Sequence, residues 1–147
     1  DPPFDLLALA PEPPQLGIGR VGRLAAPTPL GALLARIRSG LGVGSLLCAT
    51  PEGVGDDALI TQAAACAGAC GKLIDQAIAQ GAGLYLTGEL RHHDALKAAQ
   101  AGVTVVCALH SNSERATLGR VRARLTEALP GLNVFVSARD RDPFVIR

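Results

Sequence analysis

From Leu30 onward the apolar residues follow two rhythms. Leu30, Leu33, Leu34 and Ile37 recur along one helical face, because residues three or four apart stack above one another in a helix. Thr28 stands ahead of this stripe as an N-cap, with Pro29 at the first helical position. Arg36 and Arg38 fall in the last turn and Gly40 ends it. Residues 41–49 form a glycine-broken apolar run that reads as a strand. Residues 58–66 are a second candidate, although alanine suits a helix equally well. In 72–80, Leu73, Ile74, Ala77 and Ile78 share a face. Residues 84–86 make a short strand, and 91–101 a helix closed by Gly102. Residues 103–109 are a β-branched run of the buried, parallel kind. Leu118, Val121, Leu125 and Leu129 mark a long amphipathic helix, with Arg115, Arg120, Arg122 and Arg124 solvated off its stripe. Residues 133–137 read as a last strand.

Strands separated by helices imply βαβ units. The expected fold is α/β, a mostly parallel or mixed sheet of roughly four to six strands flanked by helices. Residues 1–27 hold six of the ten prolines and read as a linker or arm, which leaves 28–147 as the α/β body.

Composition narrows the function classes. The chain has 147 residues, 48% of them hydrophobic, and a mean hydropathy of +0.28, so it is expected to bury a core of its own. With three Phe, one Tyr and no Trp, that core must be built from aliphatic residues. Fourteen basic residues against thirteen acidic ones give a net charge of +1, so no field draws in nucleic acid or an anionic membrane. No apolar run approaches the length of about eighteen residues that a membrane-spanning helix needs. The four cysteines form no Cys-x-x-Cys pair. They read as small, reduced, buried hydrophobes of a cytoplasmic protein. Since Met is absent even at position 1, the chain is expected to be a piece of something longer.

Two glycine motifs are look-alikes. Gly17-Ile-Gly-Arg-Val-Gly22 matches a dinucleotide fingerprint as a string, but prolines flank it where a strand and a helix are required. Gly68-Ala-Cys-Gly-Lys72 is too short for a phosphate loop, and Leu73 stands where Mg²⁺ needs a hydroxyl.

The candidate chemistry lies between Leu84 and Glu114, which hold all three histidines. Thr87-Gly-Glu89 follows one strand and His110-Ser-Asn-Ser-Glu114 the next. Loops at the C-terminal strand ends of such sheets converge on one crevice, so Glu89, His92, His93, His110 and Glu114 should share a rim. Imidazole and carboxylate are ligands for Zn, Mn or Fe, and a Glu four residues after a His can reach the same ion. A plainer reading competes: Ser111 to Glu114 is a capping box that explains both residues without metal. His92-His93-Asp94 could equally be a solvated helix start, and Asp140 and Asp142 turn residues. His110 is harder to explain away, because it ends a buried apolar strand.

LYLTGELRHHDALKAAQAGVTVV, HSNSER and VSARDRDPF, in that order, resemble the closing half of the Nif-three-like family, also called GTP cyclohydrolase I type 2 homologues or dinuclear metal centre proteins. The resemblance covers essentially the whole chain. It implies a dinuclear metal-dependent hydrolase, the alternative being a non-catalytic metal-binding scaffold or interaction protein. It implies two divalent ions (Zn, Mn or Fe) shared with an N-terminal half, and a homo-oligomer, hexameric in relatives. His110 and Glu114 match the metal-ligand block, which favours Glu114 as ligand over cap. Glu89 is then the candidate catalytic base, and Thr87, His92 and His93 the candidate cofactor- or substrate-facing residues. The family's His-His-Pro and Asn-Leu-Asp blocks are absent from these residues, and His92-His93 belongs to a different motif. The implied site is half a site.

Overall fold

The computed structural model describes residues 4–8 and 17–144. Six strands form one mixed sheet: β1 (Phe4–Ala8), β2 (Arg20–Pro29), β3 (Leu47–Ala49), β4 (Leu59–Ala69), β5 (Leu84–Glu89) and β6 (Thr104–Cys107), in the order β1-β2-β4-β5-β6-β3. The pairs β4–β5 and β5–β6 are parallel, and the other three pairings are antiparallel. The helices are α1 (Leu30–Leu41), α2 (Ile74–Ala79), α3 (His92–Gln100), α4 (His110–Arg115) and α5 (Leu118–Ala128). This is the expected mixed α/β class.

Alternation along the strands divides the core between the two faces of the sheet. Tyr85 and Val105 pack with Ile74, Ala77 and Ala98 of α2 and α3. Leu84 and Val106 point the other way, onto Leu30 and Leu33 of α1, with Leu34 and Ile37 packed alongside. The α1 stripe is thus the core-facing one that its spacing predicts.

Several boundaries differ from the sequence reading. Residues 20–29 are a sheet strand and not a linker, and Phe4–Ala8 pairs with them; residues 1–3 and 9–16 of the expected arm lie outside the described residues. Thr28 therefore belongs to β2, and its hydroxyl donates to the Ala26 carbonyl without capping α1. The first amides of α1, Leu30 and Gly31, donate instead to the carbonyls of Ala58 and Asp56, both at 2.9 Å. The helix runs through Gly40 and ends at Gly42, whose φ of 65° is the left-handed closing conformation glycine accepts without strain. In the 41–49 run only Leu47–Ala49 is strand. Residues 133–137 form no strand, since the described sheet edges are β1 and β3 and neither offers them a ladder partner.

The cysteines depart furthest from expectation. Cys66 and Cys70 are joined by a disulfide with Cα atoms 6.0 Å apart, and Cys48 is exposed. In a regular strand four residues would span about 13 Å. A register shift between Cys66 and Ala69, with Gly68 at φ 75°, folds the end of β4 back enough for the pair to meet.

Candidate metal centre at the parallel strand ends

The three central strands finish side by side, with Cys66 opposite Thr87 and Thr87 opposite Cys107. At this edge the backbones approach so closely that side chains are excluded. A Cβ on Gly88 would lie 2.7 Å from the Gly68 carbonyl oxygen, 2.7 Å from Ser113 Oγ and 2.9 Å from His110 Cα. Glycine inside a strand commonly marks such an approach. The kinked Gly68 is clasped from two sides: its N–H donates to Ser113 Oγ at 2.8 Å, and its carbonyl accepts from Thr87 Oγ1 at 3.1 Å. Ser113 Oγ in turn donates to the His110 carbonyl at 2.6 Å. These bonds fix α4 against the ends of β4 and β5.

The residue leading into α4 is strained. Leu109 has φ 69° and ψ 155°, a region that is otherwise glycine's, at a cost of about 1–3 kcal/mol. The turn makes His110 the first residue of α4. Ser111 then lies inside the helix, where its hydroxyl donates to Asp142 Oδ2 at 2.8 Å, and α4 has no side-chain cap. The capping-box reading of Ser111 and Glu114 does not describe this helix.

With no capping duty, Glu114 turns to the imidazole. Its Oε1 lies 3.5 Å from His110 Nε2, and Glu89 Oε2 lies 3.3 Å from His110 Nδ1. All three side chains are about half exposed. The hydrogen bond to Glu89 is the main cause that raises the His110 pKa above its ordinary value; desolvation opposes it, and the charges of Glu114, Glu89 and Asp142 add to it. The carboxylates flank opposite nitrogens of one ring and do not converge on one point. Among the described residues no three His, Cys, Asp or Glu side chains form a metal-holding group.

The other expected site residues divide. Thr87 is fully buried and supports Gly68, so its hydroxyl is committed to the floor of the site. His92 and His93 are exposed at the start of α3, where His93 Nε2 lies 3.7 Å from Asp94 Oδ1. They do not join the His110 group. Arg115 is not a solvated residue: its guanidinium donates to Asp140 at 2.8 and 3.2 Å and to Asn112 at 2.7 Å. It holds the Asp140–Asp142 segment against α4, which makes those aspartates more than turn residues. Sequence reasoning missed Gly68, Gly88 and Ser113, and of these only Gly88, a glycine within a strand beside Glu89, carried a local signal.

Comparison with known proteins agrees with this architecture. A family model described as Duf34/NIF3 (NGG1p interacting factor 3) matches residues 4–143. The chain is 34% identical over 128 residues to the mouse (Mus musculus) NIF3-like protein 1, covering 86% of this chain and 33% of that protein. It is 40% identical over 99 residues to the GTP cyclohydrolase 1 type 2 homolog of Mycobacterium leprae, covering 65% of this chain and 24% of that one. A crystal structure of a Staphylococcus aureus hypothetical protein superimposes with a TM-score of 0.74 at 26% identity, over 89% of this chain and 37% of that one. The chain thus spans about a third of the length of the mouse relative.

Proposed function

The chain belongs to the Duf34/NIF3 family, and we propose that it is the C-terminal, metal-binding half of a dinuclear metal-dependent hydrolase. The observation that carries this reading is His110, held between Glu89 and Glu114 at the C-terminal ends of two parallel strands. Imidazole nitrogen and carboxylate oxygen suit Zn, Mn or Fe, so the residues fit a divalent ion in kind. In number they fall short of the usual four protein ligands, or three and a water.

His110 through Nε2 and Glu114 through Oε1 are the ligands this chain would contribute to two ions, with an N-terminal half supplying the remainder. A bound pair of ions supplies an acidified water and compensates developing negative charge. This chain's own residues do the positioning. Glu89 accepts the Nδ1 proton of His110, which fixes the tautomer and leaves Nε2 facing Glu114; metal-bound histidines are commonly oriented this way. Glu89 also lines a neighbouring cleft, where a carboxylate can take a proton from water as general base. Thr87 and Ser113 hold the Gly68 turn beneath these groups. His92 and His93, at the start of α3, are assigned to contacts with substrate.

A second reading, a metal-binding scaffold that assembles into a ring, is favoured by one feature. The apolar residues of α5 and the segment after it stay open, with Val121 48%, Leu129 50% and Phe135 77% exposed. Such a stripe suits a homo-oligomer, and the family resemblance makes that a hexamer. Among the described residues no helix is long and apolar enough to cross a membrane; a cytoplasmic protein that binds neither membrane nor nucleic acid is part of the proposal.

Turnover by the longer protein separates the two readings, since a scaffold has none, and Glu89→Gln tests the catalytic assignment. The hydrolase reading expects turnover to collapse while most bound metal is kept, as inductively coupled plasma analysis would show. Unchanged turnover in Glu89→Gln would refute the assignment of Glu89 as the base.

A further inference from the structure

Beside the His110 group, on the other side of Glu89, lies a cleft of about 360 Å³ lined by Ala69, Gly71, Lys72, Glu89, Leu90 and Arg91. It brings together two cationic side chains from different parts of the chain. Lys72 comes from the turn after β4, and Arg91 from the residue that opens α3.

Their settings differ in a way that suits one ligand. Arg91 is oriented from behind: its Nε donates to Asp94 Oδ2 at 2.9 Å, and Asp94 is only 8% exposed. That bond uses one edge of the guanidinium, and among the described residues Arg91 has no other side-chain partner. Gly71 makes the arrangement possible, since a Cβ there would fall 2.8 Å from the same Asp94 oxygen. The close approach brings the next residue, Lys72, to the cleft. Lys72 is exposed, and among the described residues it has no ion-pair or hydrogen-bond partner. The nearby lysine Lys97 is instead paired with Asp75 at 2.5 Å. A planar fork and a mobile ammonium facing one space form a recognition pair for a tetrahedral oxyanion, the fork giving direction and the ammonium charge.

We propose that this cleft binds the phosphate of a phosphorylated small-molecule substrate. Lys72 and Arg91 grip the phosphate oxygens, and the rest of the substrate extends past Glu89 toward His110. The turn that carries Lys72 is not a phosphate loop, and the site needs none of that loop's backbone geometry, because both cations are side chains. The proposal rests on the hydrolase reading for the word substrate; the anion site itself does not depend on a metal.

Titration of the ¹⁵N-labelled chain with inorganic phosphate, in chelator and at constant ionic strength, tests it by NMR. Saturable shifts are expected at the amides of Gly71, Lys72, Leu90 and Arg91, with acetate far weaker than phosphate. Lys72→Ala and Arg91→Ala should each weaken binding by about tenfold, as loss of a charge-assisted hydrogen bond does, and Arg91→Lys by less. Lys72 is exposed and its variant keeps the fold, whereas Arg91→Ala also takes a partner from Asp94. An unshifted spectrum away from the cleft verifies the fold of each, and Arg91→Lys, which keeps a cation there, is the second check. Absence of saturable shifts, shifts that survive both alanine variants, or acetate binding as tightly as phosphate would each overturn the proposal. The titration is metal-free, so the two readings fail separately. Intact phosphate binding beside a failed metal titration counts against the hydrolase alone, and the reverse against the cleft alone.

Discussion

Glu89 Oε2 and His110 Nδ1 lie 3.3 Å apart, although 21 residues separate them in the chain. Parallel pairing of β5 and β6 brings the ends of both strands to the same edge, so a contact of long sequence range follows from the βαβ connection. The pair has a pH signature. Glu89 favours the protonated imidazole, which raises the His110 pKa above 6.5. The stabilisation is fully present below the unfolded value and is lost as pH rises through the raised folded value. In chelator, the His110 Cε1 proton should titrate above 6.5, and Glu89→Gln should lower that midpoint more than Glu114→Gln. A midpoint indifferent to Glu89 would contradict the geometry.

Gly88 should tolerate no side chain. The atoms a methyl group would meet include backbone of both Gly68 and α4, so neither partner can swing aside as a flexible side chain would. Gly88→Ala should destabilise by about 2–3 kcal/mol, the cost of overpacking, and should displace His110. Urea denaturation and the His110 chemical shift measure the two effects together.

At Leu109 the usual ranking of alanine above glycine should invert. Leu109→Ala loses the side chain and keeps the strain at φ 69°, whereas Leu109→Gly loses the side chain and relieves the strain. The glycine variant should therefore be the more stable of the two, by about 1 kcal/mol. Thermal denaturation of the pair decides it.

Arg115 and Asp140 should control the segment that follows α5. Their hydrogen bonds lower the Asp140 pKa below 3.8. The stabilisation is thus present above the unfolded value and is lost as pH falls through the lowered folded one. The Arg115 Nε–H resonance should persist below pH 3.8 and then broaden. Arg115→Ala at neutral pH should speed tryptic cleavage after Arg139 and Arg141, and equal cleavage rates would show that the ion pair does not hold the segment.

The legible parts of this protein are those that local periodicity specifies. The α1 stripe and the β-branched run before His110 announce their elements because burial on one face, or on both, forces a pattern on the sequence. Glu89, which ends β5, and His110, which opens α4 three residues after β6, stood out for the same reason: each breaks off an apolar run. What was hidden depends on partners distant in the chain. Residues 20–29 are a strand only because β1 and β4 flank them, and their ladder with β4 skips from Arg23 to Thr28, across Pro27, which has no N–H to give. The Cys66–Cys70 bond needs a kink that no spacing announces, and Ser113 acts through Gly68, 45 residues away.

Calorimetric titration of Zn²⁺ or Mn²⁺ into this chain, and into a longer protein that includes an N-terminal half, tests the central claim most directly. The two ligands proposed for each chain, His110 and Glu114, make an incomplete site, so the chain alone should bind weakly and release its metal readily to chelator. Affinity should rise with pH above 6.5 as protons leave His110, whose pKa is raised. The longer protein should bind orders of magnitude more tightly, with the gain abolished by His110→Ala or Glu114→Gln. His92→Ala should leave metal content nearly intact. Tight, stoichiometric binding of two ions by this chain alone would contradict the half-site account.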